Sequence, residues 1–187
     1  MRIPVVLVLF LAGVAPALFP HPLDVSSTNL QIQPAGLRGT TYVHPYELSL
    51  LAKSQGVTLQ GADAAWLRQV TLEYLDEHLR IVGLHGVTKK TGPSFTNDKL
   101  YEILSDGLYV SYWIPLARDA YPISFYVDLF VEYSRTQTNK VVLLTESGQQ
   151  FPNGREVIFA AKRREWTFDL SHPDFSSEVD DYRDMDN

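Results

Sequence analysis

Residues 123–134 carry the cleanest alternation in the chain. Phe125, Val127, Leu129, Val131 and Tyr133 interleave with Ser124, Tyr126, Asp128, Phe130 and Glu132. A period of two sends successive side chains to opposite faces, so this segment predicts a strand with one buried face. Residues 108–116 alternate in the same way, with Leu108, Val110, Tyr112 and Ile114 set against Tyr109, Ser111 and Trp113. Near the start, residues 25–33 place Thr28, Leu30 and Ile32 on one side. Pro34-Ala35-Gly36 is turn chemistry, and residues 37–43 return as the second arm of a hairpin. Shorter strands are expected at 140–145, 155–161 and 165–170, with Gly148 and Pro152-Asn153-Gly154 as turns.

Between the hairpin and the later strands the period changes. Pro45 suits a first helical turn, Leu48, Leu51 and Ala52 recur at helical spacing, and Gly56 stops the run. This predicts a helix over about 45–55. Asp63 is placed to cap a longer helix over about 63–80. That helix carries two apolar stripes, Trp66, Leu67, Val70 and Tyr74 on one side and Leu72, Leu75 and Leu79 on the other. Two stripes call for two packing partners. Six or seven strands with turn signals between them predict a mainly β fold, an immunoglobulin-like antiparallel β-sandwich with a two-helix insertion after the second strand.

The two ends follow other rules. Met1-Arg2 precedes an apolar run from Ile3 to Phe19 that closes on Ala15-Pro16-Ala17, the build of a cleavable secretory signal peptide over residues 1–20. Retention as an anchor is the competing expectation, weakened by Pro4 and Pro16 and by the run's shortness. Residues 21–170 then form one domain. Residues 171–187, rich in Asp and Glu, read as a disordered acidic tail. The expected location is the bacterial periplasm or outside the cell.

Composition narrows the chemistry. The chain has no cysteine, which removes thiol catalysis, thiolate metal sites and disulfides. A net charge of −6 argues against nucleic acid as a partner, because phosphates require a basic surface. The one basic run, Lys162-Arg163-Arg164, is followed by Glu165 and reads as a solvated turn or strand edge. No segment after the leader is long and apolar enough to span a bilayer. There is no Gly-x-Ser-x-Gly, His-Glu-x-x-His or phosphate loop.

Three short motifs carry a resemblance: His21-Pro22-Leu23-Asp24-Val25-Ser26 after the leader, His44-Pro45-Tyr46-Glu47-Leu48 at the end of the hairpin, and Gln137-Thr138-Asn139 late in the chain. On these the chain resembles the exported domain that precedes the membrane helices of HupE/UreJ-type bacterial proteins, and is similar to small stand-alone exported domains of unknown function. The resemblance implies an envelope protein with an immunoglobulin-like sandwich and no established activity for the domain. The membrane part of that family is associated with nickel or cobalt handling, and none of its helices is present in this sequence.

Two sets of residues are candidate sites. A hairpin turning at Pro34-Ala35 sets residue 21 near residue 48 and Asp24 near Pro45, so His21, Asp24, His44 and Glu47 converge at its open end. Two imidazoles with carboxylates accept a divalent transition metal, Zn, Ni, Co or Cu. The same residues also suit hydrogen-bonded capping of the helix start, and capping is the favoured expectation. The second set is Tyr109, Trp113 and Tyr126, a candidate ring platform for sugars or peptides if their faces are open; the two-striped helix is expected to cover them. Asp76, Glu77, Asp128 and Glu132 read as solvated carboxylates, and His78 as a half-buried structural histidine. The resulting expectation is a non-enzymatic exported binding or accessory domain acting on an envelope or membrane protein partner. A metal-binding accessory protein is the alternative, and a carbohydrate-binding module a weaker one.

Overall fold

The computed structural model describes residues 25–117, 120, 122–150 and 156–168. The leader, His21, Asp24 and the acidic tail lie outside the described residues. The chain opens with strands β1 (Val25–Gln33) and β2 (Gly36–Val43), joined through Pro34-Ala35. Helix α1 (Pro45–Ser54), a single 3-10 turn (Leu59–Gly61) and helix α2 (Ala64–His78) follow. Strands β3 (Leu79–Gly83), β4 (Gly86–Thr88) and β5 (Thr91–Phe95) come next, then the short helix α3 (Leu100–Asp106). Strands β6 (Leu108–Pro115), β7 (Ile123–Val127), β8 (Thr138–Leu144), β9 (Glu156–Phe159) and β10 (Glu165–Phe168) complete the described chain.

The strands build two sheets. One has six strands in the order β5-β6-β2-β1-β8-β9, the other four in the order β10-β7-β3-β4. The hairpin β1–β2 pairs Ser27 with Tyr42 and Gln33 with Gly36, the register expected from its turn. One pairing departs from an all-antiparallel sandwich: β1 and β8 run parallel, with Ser26 opposite Asn139. A parallel neighbour needs a long crossover, and the chain between β2 and β8 supplies it.

A single apolar core joins sheets and helices. Leu30, Leu37, Val110 and Ile114 come from the larger sheet, Ile81 and Phe125 from the smaller, and Leu48, Leu51, Leu67 and Leu75 from α1 and α2. The starts of α1 and α2 follow their sequence signals. His44 Nδ1 accepts from Tyr46 N–H, and Asp63 Oδ1 accepts from Trp66 N–H at 2.7 Å. Gly39 leaves room for a large core ring, since a Cβ there would stand 2.0 Å from Tyr112 Cε2.

Two expected elements are shorter than their patterns. Helix α2 ends at His78 and Leu79 already belongs to β3. The Lys90 ammonium closes that helix end by donating to Leu75 O at 2.9 Å, Leu79 O at 2.6 Å and Asp76 Oδ1 at 3.2 Å. Leu79 and Ile81 with exposed Arg80 between them satisfy a strand as well as a helix stripe. The long alternation at 123–134 stops at Val127, because Phe130 turns the backbone into the left-handed region (φ 58°) and Leu129, Phe130 and Val131 are all buried. Strands β3, β4 and β5 and helix α3 carry no pattern long enough to announce them. Among the described residues no helix is long and apolar enough to cross a membrane.

Inside the larger sheet a chain of hydroxyls is sealed from water. Tyr112 OH lies 2.9 Å from Thr41 Oγ1, which lies 2.9 Å from Thr28 Oγ1. Burial raises the Tyr112 pKa above its ordinary value of 10.0. The folded state therefore holds a proton that the unfolded state releases, so this contribution is complete below pH 10 and lost as pH rises above it. Thermal melts between pH 8 and pH 11 should show a steeper alkaline loss in the native protein than in Tyr112→Phe. At pH 7 that variant should lose about 1 kcal/mol, because Thr41 gives up a buried partner.

Candidate functional site

Ser26 from the first of the three short motifs meets the other two in space. The parallel register of β1 and β8 sets Ser26 beside Asn139, and the end of β2 delivers His44 and Glu47 to the same corner. Ser26, Glu47, Gln137 and Asn139 are each at most 2% exposed. Gln137 Nε2 donates to Glu47 Oε1 and to Ser26 Oγ, both at 3.0 Å, and Ser26 Oγ donates in turn to Asn139 Oδ1. Glu47 Oε2 accepts from the backbone N–H of His44 at 2.8 Å, which completes a reciprocal capping box with the His44 ring. Asn139 Nδ2 is buried without a hydrogen-bond partner.

This corner bears on the metal expectation. His21 and Asp24 lie outside the described residues. His44 Nδ1 is an acceptor for Tyr46 N–H, so the neutral ring carries its proton on Nε2. Ligation through Nε2 would require that proton to leave or to move to Nδ1, where it would break the cap. Among the described residues no group of three or more His, Asp or Glu side chains is placed to hold a metal ion. Glu47 and His44 do come together, and what they visibly do is fasten the start of α1 to β8.

The ring candidates divide between the sheets. Tyr109 and Trp113 share the outward side of β6, whereas Tyr126 stands on β7 of the smaller sheet. There Tyr126 OH donates to Glu165 at 2.7 Å and its ring lies under Arg80 at 5.4 Å. The expected cover of helices is missing from Tyr109, which is 41% exposed; α1 and α2 pack instead against the side carrying Val110 and Ile114. The register of β2 with β6 adds residues the sequence did not single out. It pairs Tyr42 with Tyr109, Thr40 with Ser111 and Arg38 with Trp113. The Tyr42 and Tyr109 rings approach to 4.7 Å at an interplanar angle of 40°, and Thr40 and Ser111 share a hydrogen bond of 3.2 Å. Exposed Asn29 extends the row from β1, opposite Thr40. Among the described residues the outer face thus offers three rings, a guanidinium and several hydroxyls and amides without a covering layer.

The four carboxylates have separate duties. Asp76 pairs with Lys90. Asp128 pairs with His78 at 3.0 Å and Arg164 at 3.6 Å. Glu132 accepts from Tyr74 OH at 2.6 Å. Glu77 lies near Glu132 along one cleft. His78 is half-buried, as expected, and its ring stacks on Tyr74 at 4.2 Å.

No family model matches the chain, and no curated protein matches it.

If His44 serves chiefly as a cap, Asn should replace it. His44→Asn should retain stability to within about 0.5 kcal/mol, while His44→Ala should lose about 1 kcal/mol, both read from urea denaturation. Glu47→Ala should cost more, about 2–4 kcal/mol, since it strands the His44 N–H and the Gln137 amide in the interior.

Proposed function

We propose that this chain is an exported, non-enzymatic binding domain of the bacterial envelope, a β-sandwich that engages a protein partner through the outer face of its larger sheet. The observation that carries the reading is the row of half-buried Tyr42 and Trp113 with exposed Tyr109 and Arg38 across β2 and β6, over which no described helix or strand packs. Tyr, Trp and Arg are the residue types that dominate binding energy at protein interfaces, because they bury large area at low entropic cost. A sheet face is rigid, so its rings are held in place before a partner arrives. The net charge of −6 disfavours nucleic acid on this surface.

A sugar ligand is the second reading, favoured by the hydroxyls of Thr40 and Ser111 between the rings. The 40° tilt between Tyr42 and Tyr109 weighs against it, since a pyranose stacks best on a flat platform. Metal accessory function through His21, Asp24, His44 and Glu47 rests on residues partly outside the described chain, and it predicts a thermal shift with Ni, Cu or Zn that His21→Ala abolishes.

The deciding experiment places a photo-crosslinking residue at Ser111 and, as a control, at Ser124 on the smaller sheet. In the native envelope a discrete protein adduct is expected from position 111 alone. Tyr109→Ala and Trp113→Ala should each reduce it about tenfold or more while leaving the melting temperature nearly unchanged. Adducts of equal yield from both positions, or a yield indifferent to the ring deletions, would remove the proposal. Quenching of tryptophan fluorescence by oligosaccharides would transfer the site to the sugar reading.

A further inference from the structure

Large and small side chains take turns on the outer side of the larger sheet. Along β6, Ser111 stands between Tyr109 and Trp113, and along β2, Thr40 stands between Tyr42 and Arg38. The strand registers bring the small residues into one line. Ser94 on β5 faces Ser111, Ser111 faces Thr40, and Thr40 faces Asn29 on β1. They make a polar floor that crosses four strands, about 14 Å at the usual strand spacing. Tyr109 rises on one side of it and Trp113 on the other, their Cα atoms about 14 Å apart at the usual rise of a strand.

Glycines seat the rings on the far side of each wall. A Cβ at Gly36 would stand 2.8 Å from Trp113 Cζ2, and a Cβ at Gly107 would stand 2.7 Å from Tyr42 Cε2. Gly36 lies opposite Pro115 and Gly107 immediately precedes β6, so both rings lean away from Ser111. Tyr42 then braces Tyr109 at 4.7 Å, and Tyr109 keeps open surface. The floor between them is a shallow trough running across the strands. Its hydrogen-bonding sense is one-sided. Thr40 and Ser111 use one hydroxyl proton on each other, which leaves the second to donate outward. Asn29, the Trp113 indole and the Arg38 guanidinium add N–H groups. None of the residues that pair among β1, β2, β6 and β5 is Asp or Glu.

We propose that this trough takes a proline-rich segment of the partner, laid across the strands as a polyproline II helix. The inference rests on the sheet-face reading above and names the chemistry of its ligand. Proline has no N–H, so such a segment presents carbonyl acceptors alone, the complement of a face rich in donors and free of carboxylates. At about 3.1 Å per residue, about four or five residues span the floor. The pyrrolidine rings pack on Tyr109 and Trp113, and a helix formed in advance loses little entropy on docking. An α-helical ligand satisfies its own carbonyls and would leave the floor donors unmet. An added strand needs a free sheet edge, not a face.

Titration of the full exported protein with octaproline blocked at both ends, followed by NMR, tests the assignment, with a glycine–serine peptide of equal length as control. Saturable shifts are expected at Asn29, Thr40, Ser94 and Ser111, with a Kd of about 1 mM or tighter, and none at Ser124 on the smaller sheet. Tyr109→Ala and Trp113→Ala should each weaken binding about tenfold, and Tyr126→Ala should leave it unchanged. The backbone spectrum verifies the fold of each variant, and the shift pattern in the native protein stands without them. Equal shifts with the glycine–serine peptide, no saturation by about 10 mM octaproline, or full affinity in both ring variants would overturn the proposal. Such a failure beside a discrete crosslink from position 111 leaves the sheet-face reading intact with a different ligand, whereas failure of both experiments removes both.

Discussion

Glu47 is almost wholly withdrawn from water, and a carboxylate in that position is tolerable only while both oxygens keep their donors. One donor is the backbone of His44 and the other the amide of Gln137, so the start of α1 and the approach to β8 are bound to a single side chain. Through Gln137 the same network reaches Ser26 on β1. The parallel pairing of β1 with β8 brings together segments more than a hundred residues apart, and such contacts must offset a large loop-closure cost. Polar groups that are satisfied in one register and stranded in any other are a strong way to specify it. The remainder of the larger sheet is built outward from that pair, β2, β6 and β5 on one side and β9 on the other.

Fixing the sheet decides which of its faces is left for recognition. Helices α1 and α2 leave the hairpin at the corner held by Glu47 and pack across the side bearing Val110 and Ile114. The opposite side receives no layer from the described residues, and there the alternation of β6 places Tyr109 and Trp113. The corner network and the ring row are therefore linked by structure without sharing residues. The two also meet directly, since the His44 and Tyr42 rings stand edge to face with centroids 6.3 Å apart.

Much of this was legible in local pattern. The β1–β2 register follows from a short turn between two alternating arms, and the caps at His44 and Asp63 follow from their residue types. The long-range relations were not legible. Tyr42 becomes part of the ring row only when β2 pairs with β6, across an insertion of three helices and three strands. Tyr126 alternates as Tyr109 does, but nothing in an alternation says to which sheet a strand belongs. The break after Val127 has the same origin. Its hydrophobic period continues to Tyr133, and it is a phenol 56 positions away, Tyr74, that captures the Phe130 N–H and stabilises the turn. The convergence of the three short motifs was legible as adjacency of His44 and Glu47, while the part of Gln137 and Asn139 required the parallel crossover.

The Tyr74 contact also explains why the turn persists. Extending β7 through Phe130 would relieve the positive φ, yet it would withdraw the N–H that Tyr74 accepts and carry Glu132 away from the phenol. Burial and the hydrogen bond to Glu132 both raise the Tyr74 pKa above its ordinary value of 10.0, so the phenol keeps its proton and remains able to donate. A donor that stays protonated, beside a carboxylate that only accepts, gives the Tyr74–Glu132 pair one hydrogen-bond polarity across the neutral range. The second oxygen of Glu132 is not needed for that bond. The strained turn is thus the means by which a half-buried phenol from one helix orients a carboxylate from a distant segment.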